Sequence, residues 1–123
     1  MRETGYYPKL FLVAAIYNWA VTTPFFFAHK AIFGWMGMEP INHPLMLRSF
    51  LALAFVYGIG YYWVSRDVRT NRDLVRMGVL GKLAVFVLFF VAWITGEIPL
   101  LMVFPGVGDL IFAILFIGFL RQR

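Results

Sequence analysis

Four long apolar runs decide what this chain can fold into. They cover residues 10–28, 44–64, 74–95 and 100–120, and each is close to the roughly 20 residues that a helix needs to cross a bilayer. A segment in lipid must satisfy its own backbone hydrogen bonds, which a helix does. Hydrophobic residues make up 62% of the chain and charged residues 14%, against roughly 25% charged residues in a soluble domain. The sequence therefore predicts an all-α integral membrane protein, with residues 1–123 as a single membrane domain.

A basic hinge, residues 65–73, separates the second run from the third and predicts the orientation of the bundle. If successive spans alternate in direction, both termini and the hinge lie on one membrane face, with eight of the 11 Lys and Arg residues. These residues are Arg2, Lys9, Arg66, Arg69, Arg72, Arg76, Arg121 and Arg123. Because cytoplasmic loops are enriched in Lys and Arg, we expect an antiparallel, up-down four-helix bundle with both termini in the cytoplasm. The same rule explains the net charge of +5 without a nucleic-acid partner.

Charged residues inside the apolar runs are the first candidates for a functional site, since a charge in lipid usually faces a partner or a cavity. Counting 1.5 Å per residue, Lys82 and Asp109 lie within one or two helical turns of the same depth, and Arg48 is nearly level with Glu97. We expect these residues to form two structural ion pairs that fix the order of the helices. The alternative is a polar cavity for a proton or a substrate, lined by Asn18, Arg48, Lys82 and Asp109.

A stripe of small and polar residues follows one face of the first run. Ala14, Asn18 and Thr22 recur at a spacing of four residues, so they share a face of the helix. Small residues permit close helix packing in membranes, and polar ones hydrogen-bond across helices. We expect this face to contact other helices.

The first predicted loop, residues 29–43, carries residues that could bind a metal or a haem. They are His29, Glu39 and His43, and imidazole is a common ligand of both groups. The histidines of a transmembrane haem usually lie within facing helices, so we expect interfacial histidines in contact with solvent, without a metal. No cofactor is predicted. The 14 Phe and four Trp residues would suit a bound lipid, quinone or pigment, although aromatic residues also fill lipid-facing surfaces.

Motifs of soluble enzymes are missing from the sequence. It has no phosphate-binding loop, no G-x-S-x-G, no H-E-x-x-H and no cysteine. The string G-V-G-D at Gly106 to Asp109 matches the G-x-G-D motif of intramembrane aspartyl proteases, but that chemistry needs two carboxylates at close range, and no second one lies deep in a run. Pro105 and the two glycines instead predict a loosened helix. We expect no catalytic cycle.

Several short strings resemble a group of small, uncharacterised four-span bacterial membrane proteins. They are I-Y-N at Ile16, N-H-P at Asn42, Y-G-I-G-Y-Y at Tyr57, R-D at Arg66, G-K at Gly81 and G-D-L at Gly108. More distantly, the layout is similar to the DoxX-like membrane proteins. The resemblance implies four helices in the bacterial inner (cytoplasmic) membrane, and it implies no mechanism.

Three functions are compatible with these observations. The first is an accessory or stabilising subunit, packed against a larger membrane complex or against copies of itself. The second is a small transporter or ligand-binding membrane protein with a polar site at Asp109 and Lys82. The third is a quinone-linked or redox-linked protein of the DoxX-like kind. The aromatic content and the lack of reaction motifs favour the first function, whereas a polar cavity reaching Asp109 would favour the second.

Overall fold

The computed structural model describes residues 5–122, and in this range the chain is helical without any strand. The helices are α1 (Tyr6–Trp35), α2 (Pro44–Arg66), α3 (Arg72–Ile94) and α4 (Phe104–Leu120), with a 3-10 turn at Leu100–Val103 directly before α4. When this turn is counted with α4, all four helices are long and apolar enough to cross a membrane. The prediction of an all-α fold with four helices long and apolar enough to span a membrane is confirmed.

Glycine and proline determine where the helices end and begin. Gly37 follows α1 with a φ of 78° and Gly96 follows α3 with a φ of 87°, a left-handed conformation that glycine adopts at little cost. After Gly96, the Glu97 N–H donates to the Ala92 carbonyl at 2.8 Å, which is the pattern of a Schellman C-cap. Pro44 occupies the first turn of α2. An N–H in the first turn has no partner within the helix, so the missing N–H of proline costs no hydrogen bond there. These residues end α1 and α3, and the connections that follow, to α2 and to the 3-10 turn before α4, are short.

The first helix is longer than the sequence predicts. We expected a loop from His29 onward, whereas α1 continues to Trp35. The backbone is non-helical at Ala28, with φ −130° and ψ 27°, so the helix bends there and then resumes. Pro24 lies one turn earlier, and a proline inside a helix removes a backbone hydrogen bond and favours bending. The predicted end of the first run at residue 28 coincides with this break, whereas the predicted loop was wrong for residues 29–35, which are helical.

One end of the bundle holds most of the buried core. The core residues there include Tyr7, Phe11, Val64, Val75, Phe116 and Phe119. The ring centroids of Phe11 and Phe116 are 4.8 Å apart, and those of Tyr7 and Phe119 are 5.0 Å apart. At the same end Arg72 donates from Nη2 to the Leu120 carbonyl at 2.7 Å. The starts of α1 and α3 therefore pack against the ends of α2 and α4, in a region that we call the closed end.

Away from the closed end the helices remain in two pairs. The backbones of α1 and α2 approach each other closely, as do those of α3 and α4. The α2–α3 and α1–α4 pairs approach less closely and meet through large side chains. Two α2–α3 contacts involve glycines of α3, because Gly78 lies under the Tyr61 ring and Gly81 under the Tyr57 ring. A Cβ on Gly78 would lie 2.7 Å from Tyr61 Cε1, so only glycine allows this approach. Beyond these contacts the two helix pairs leave room between them.

The outer faces of the helices are apolar and exposed, as expected for surfaces in lipid. Leu53 of α2 and Leu80 of α3 are both 64% exposed, and Ile114 of α4 is 58% exposed. On α1, by contrast, the stripe formed by Ala14, Asn18 and Thr22 is buried. The prediction that this stripe contacts other helices is confirmed.

Candidate intramembrane binding site

Lys82 of α3 is the centre of a polar cluster inside the bundle. Its Nζ lies 2.8 Å from Oδ1 of Asp109 on α4 and donates a hydrogen bond to Oδ1 of Asn18 on α1 at 3.0 Å. The Asn18 amide Nδ2 in turn donates to the carbonyl of Ala54 on α2 at 2.8 Å. Three side chains therefore connect all four helices. Lys82 and Asp109 lie together, as the depth argument proposed, and Asn18, which the alternative of a polar cavity included, joins them.

The two charged side chains of this cluster differ in exposure. The Lys82 side chain is 4% exposed and that of Asp109 is 18% exposed. The ammonium is further enclosed by aromatic rings, with Nζ 5.4 Å from the centroid of Tyr17 and 5.2 Å from that of Tyr61. Such cation–π contacts stabilise a desolvated ammonium. The carboxylate is thus the more accessible half of the ion pair.

The start of α4 is shaped around the same cluster. The Tyr17 hydroxyl donates to the Pro105 carbonyl at 2.5 Å, and the Tyr17 ring lies so close over Gly108 that a Cβ there would collide with the hydroxyl oxygen. The prediction that Pro105, Gly106 and Gly108 loosen the helix was wrong, because residues 104–120 are regular helix. The irregular segment is the 3-10 turn before it. Gly108 therefore serves the close approach of α1, and Asp109 is held one residue beyond it.

An apolar cavity of about 480 Å³ opens beside the polar cluster. Side chains of all four helices line it, among them Val21, Phe25, Phe50, Val85, Phe89 and Met102. Asn18, Lys82 and Asp109 form a polar patch in this otherwise apolar wall. The volume lies within the range of about 300–1,000 Å³ that is typical of small-molecule pockets. A molecule held here would contact mostly hydrocarbon and one polar spot.

The second predicted ion pair, between Arg48 and Glu97, is not formed. Within residues 5–122 the salt bridges join Lys82 to Asp109 and Arg76 to Asp73. The Arg48 guanidinium instead lies 5.8 Å from the ring centroid of Phe26 on α1, and both Arg48 and Glu97 are exposed. The depth estimate was insufficient here because α2 packs mainly against α1. Arg48 is also absent from the cavity wall.

The three proposed outer ligands lie in different environments. His29 is inside α1 and only 3% exposed, and its Nδ1 has no hydrogen-bond partner within the described chain. His43 and Glu39 are exposed. The expectation of solvent contact was therefore wrong for His29, because α1 extends past it. Over residues 5–122 no group of three or more His, Asp or Glu side chains could hold a metal ion.

Sequence reasoning missed the tyrosines that surround the cluster. Tyr17, Tyr57 and Tyr61 all line the cavity, and each ring covers a glycine of a neighbouring helix. The relevant signal was the glycines in the third and fourth runs, since a glycine inside a membrane helix permits a close contact. The sequence does not reveal which ring makes that contact.

No family model, curated protein or solved structure matches the chain. The resemblance to small four-span and DoxX-like proteins therefore stays a prediction. The features that bear on function are those of the chain itself, namely a buried ion pair and the apolar cavity beside it.

Proposed function

We propose that this chain is an integral membrane protein that binds a small apolar molecule in the cavity beside Lys82 and Asp109. One observation carries the proposal: the buried ion pair forms part of the wall of a cavity of about 480 Å³. A purely structural pair is best enclosed by packed side chains on every side, since any gap forfeits packing contacts. Ionisable groups at membrane depth that face a cavity are typical of ligand and substrate sites.

Two observations support entry of the ligand from the lipid. Leu53 of α2 and Leu88 of α3 line the cavity and are 64% and 68% exposed. The backbones of α2 and α3 approach each other less closely than those within each helix pair, and we infer a gap between these two side chains. The surroundings of this gap in a membrane are lipid tails, so an apolar ligand reaches the cavity without crossing water.

In the same proposal the four helices are antiparallel, and both termini face the cytoplasm from a bacterial inner membrane. The contacts of Tyr7 with Phe119 and of Arg72 with the Leu120 carbonyl support this topology, because they join the starts of α1 and α3 to the end of α4. The Lys and Arg residues near the closed end support the orientation.

Mass spectrometry of co-purified small molecules tests the proposal. The protein is purified from native membranes in mild detergent beside Ala54→Phe, which places a ring in the cavity, and Ala52→Phe, which places one on the exposed face of the same helix. We expect an apolar compound to be enriched with the parent protein and with Ala52→Phe, and to be lost from Ala54→Phe. Equal recovery from all three proteins, or recovery from none, contradicts the proposal.

The accessory-subunit role and the quinone-linked role stay predictions, and the same preparation tests both. A membrane-protein partner that co-purifies in fixed proportion would support the accessory role. A visible absorption band or an extracted quinone would support the redox role. A colourless protein that carries a non-quinone apolar compound and no partner favours the ligand-binding role.

A further inference from the structure

We propose that the cavity selects a neutral amphiphile whose hydroxyl head group donates a hydrogen bond to the Asp109 carboxylate. This inference rests on the proposed function and adds the chemical class of the ligand. It follows from which polar atoms of the wall are already bonded, which remain free, and which charges lie around them.

Several polar groups in the cavity wall already have partners in the protein. The Tyr17 hydroxyl donates to the Pro105 carbonyl, the Thr22 hydroxyl donates to the Asn18 carbonyl at 2.7 Å, and the Asn18 amide donates to the Ala54 carbonyl. The Tyr61 hydroxyl has no partner within the described residues, but its oxygen is sealed from the cavity. These groups offer little to a ligand.

Two polar groups of the wall have hydrogen-bonding capacity left within the described residues. They are the Tyr57 hydroxyl and the Asp109 carboxylate, and the carboxylate is the stronger acceptor because it is charged. Its Oδ1 is paired with Lys82 Nζ, whereas its Oδ2 accepts no hydrogen bond from any residue between 5 and 122. The side chain is 18% exposed, so this oxygen is not sealed by packing. An ionised carboxylate accepts hydrogen bonds and donates none. A ligand that satisfies Asp109 must therefore supply a donor.

The charges of Lys82 and Asp109 favour a ligand whose hydrogen-bond donor is neutral. Lys82 and Asp109 together carry no net charge, and the cavity wall holds no other ionised side chain. An anionic head would be repelled by Asp109, and a cationic head would lie beside the Lys82 ammonium, in each case as an extra buried charge without its own partner. A hydroxyl donates a charge-assisted hydrogen bond and introduces no charge. The apolar remainder of the wall then takes a hydrocarbon body.

A set of head groups on one chain tests the inference. The probes are radiolabelled 1-dodecanol, dodecyl methyl ether, dodecanoate and dodecylammonium, bound to the purified protein in detergent and measured by scintillation proximity, with Ala54→Phe as background. The ether has the oxygen of the alcohol but cannot donate. We expect 1-dodecanol to bind at least about tenfold more tightly than each of the others, in line with a hydrogen bond to a charged acceptor.

A second variant shows whether Asp109 causes the selectivity. Lys82→Met/Asp109→Leu removes both charges together, which avoids leaving either one buried alone. We expect this variant to bind the alcohol and the ether with equal affinity.

The possible failures are distinguishable. If no probe binds above the Ala54→Phe background, the proposed function fails and this inference fails with it. If all four probes bind equally, or if the ether or either charged probe binds most tightly, the cavity binds ligands but the hydroxyl assignment is wrong. If the preference for the alcohol persists in Lys82→Met/Asp109→Leu, Asp109 is not its cause and the inference is overturned.

Discussion

Removing one charge of the Lys82–Asp109 pair should destabilise the protein strongly. The charged atoms lie 2.8 Å apart, and at an effective dielectric constant of about 20 their attraction is about 6 kcal/mol. Desolvation of both groups opposes this attraction, and breaking a buried pair by removing one partner costs about 3–5 kcal/mol. We expect Lys82→Met and Asp109→Leu each to lower the free energy of unfolding by about 3–5 kcal/mol.

Removing both charges should cost less than removing either one. In Lys82→Met/Asp109→Leu no charge is left buried alone, and the main remaining defect is Oδ1 of Asn18, which loses its hydrogen bond from Lys82. One unsatisfied buried acceptor costs about 1–3 kcal/mol. The double-mutant cycle should therefore give a coupling energy of about 3 kcal/mol or more.

Unfolding by sodium dodecyl sulfate in mixed micelles, followed by circular dichroism of the helices, measures these energies. The pair formed by Arg76 and Asp73 is the matched control, because its side chains are 58% and 94% exposed and its coupling should stay below about 1 kcal/mol. The reasoning is refuted if the double variant loses the sum of the two single losses. It is also refuted if Lys82→Met alone costs less than about 1 kcal/mol.

Two further predictions concern helix contact and topology. Gly108→Ala should lower the free energy of unfolding by about 1–3 kcal/mol, because the new Cβ collides with the Tyr17 hydroxyl. Gly118→Ala, which meets no atom within 4 Å, should be neutral or stabilising in the same unfolding assay; equal losses for the two variants would contradict the packing argument. Because the chain has no cysteine, single cysteines at Arg69 and Met38 can be labelled with a membrane-impermeant maleimide in intact cells. We expect labelling at position 38 and not at position 69, and labelling of both positions would refute the proposed topology.

The helices could be predicted from the sequence, but their ends could not be fully predicted. A long apolar run must be helical in lipid whatever its neighbours are, so the four helices follow from the four apolar runs of the sequence. The end of α1 depends on whether the chain after Pro24 bends or stops. At Ala28 it bends and then continues to Trp35, and a proline in the preceding turn is compatible with either outcome.

The two predicted ion pairs show when the estimated depth of a residue in the membrane is enough to predict its partner. The depth estimate succeeded for Lys82 and Asp109, because the connection between α3 and α4 is too short for these helices to be anything but neighbours. It failed for Arg48 and Glu97, since equal depth gives contact only between helices that pack together. The sequence offered a cavity at Asn18, Arg48, Lys82 and Asp109 as an alternative, and three of these residues line one. Its size and its apolar walls could not be predicted, because they depend on how far the two helix pairs separate.

The division of the bundle into two pairs has a mechanical consequence. Because the closest backbone contacts lie within α1–α2 and within α3–α4, a rotation of one pair against the other would keep the contacts inside either pair. Two hydrogen bonds join the helix pairs, one from Lys82 to Asn18 and one from Tyr17 to the Pro105 carbonyl. A ligand that forms a hydrogen bond with Asp109 or Lys82 would compete with the hydrogen bond that joins Lys82 to Asn18. If the proposed ligand binds one arrangement of the two pairs more tightly than another, its binding would shift the molecule toward that arrangement.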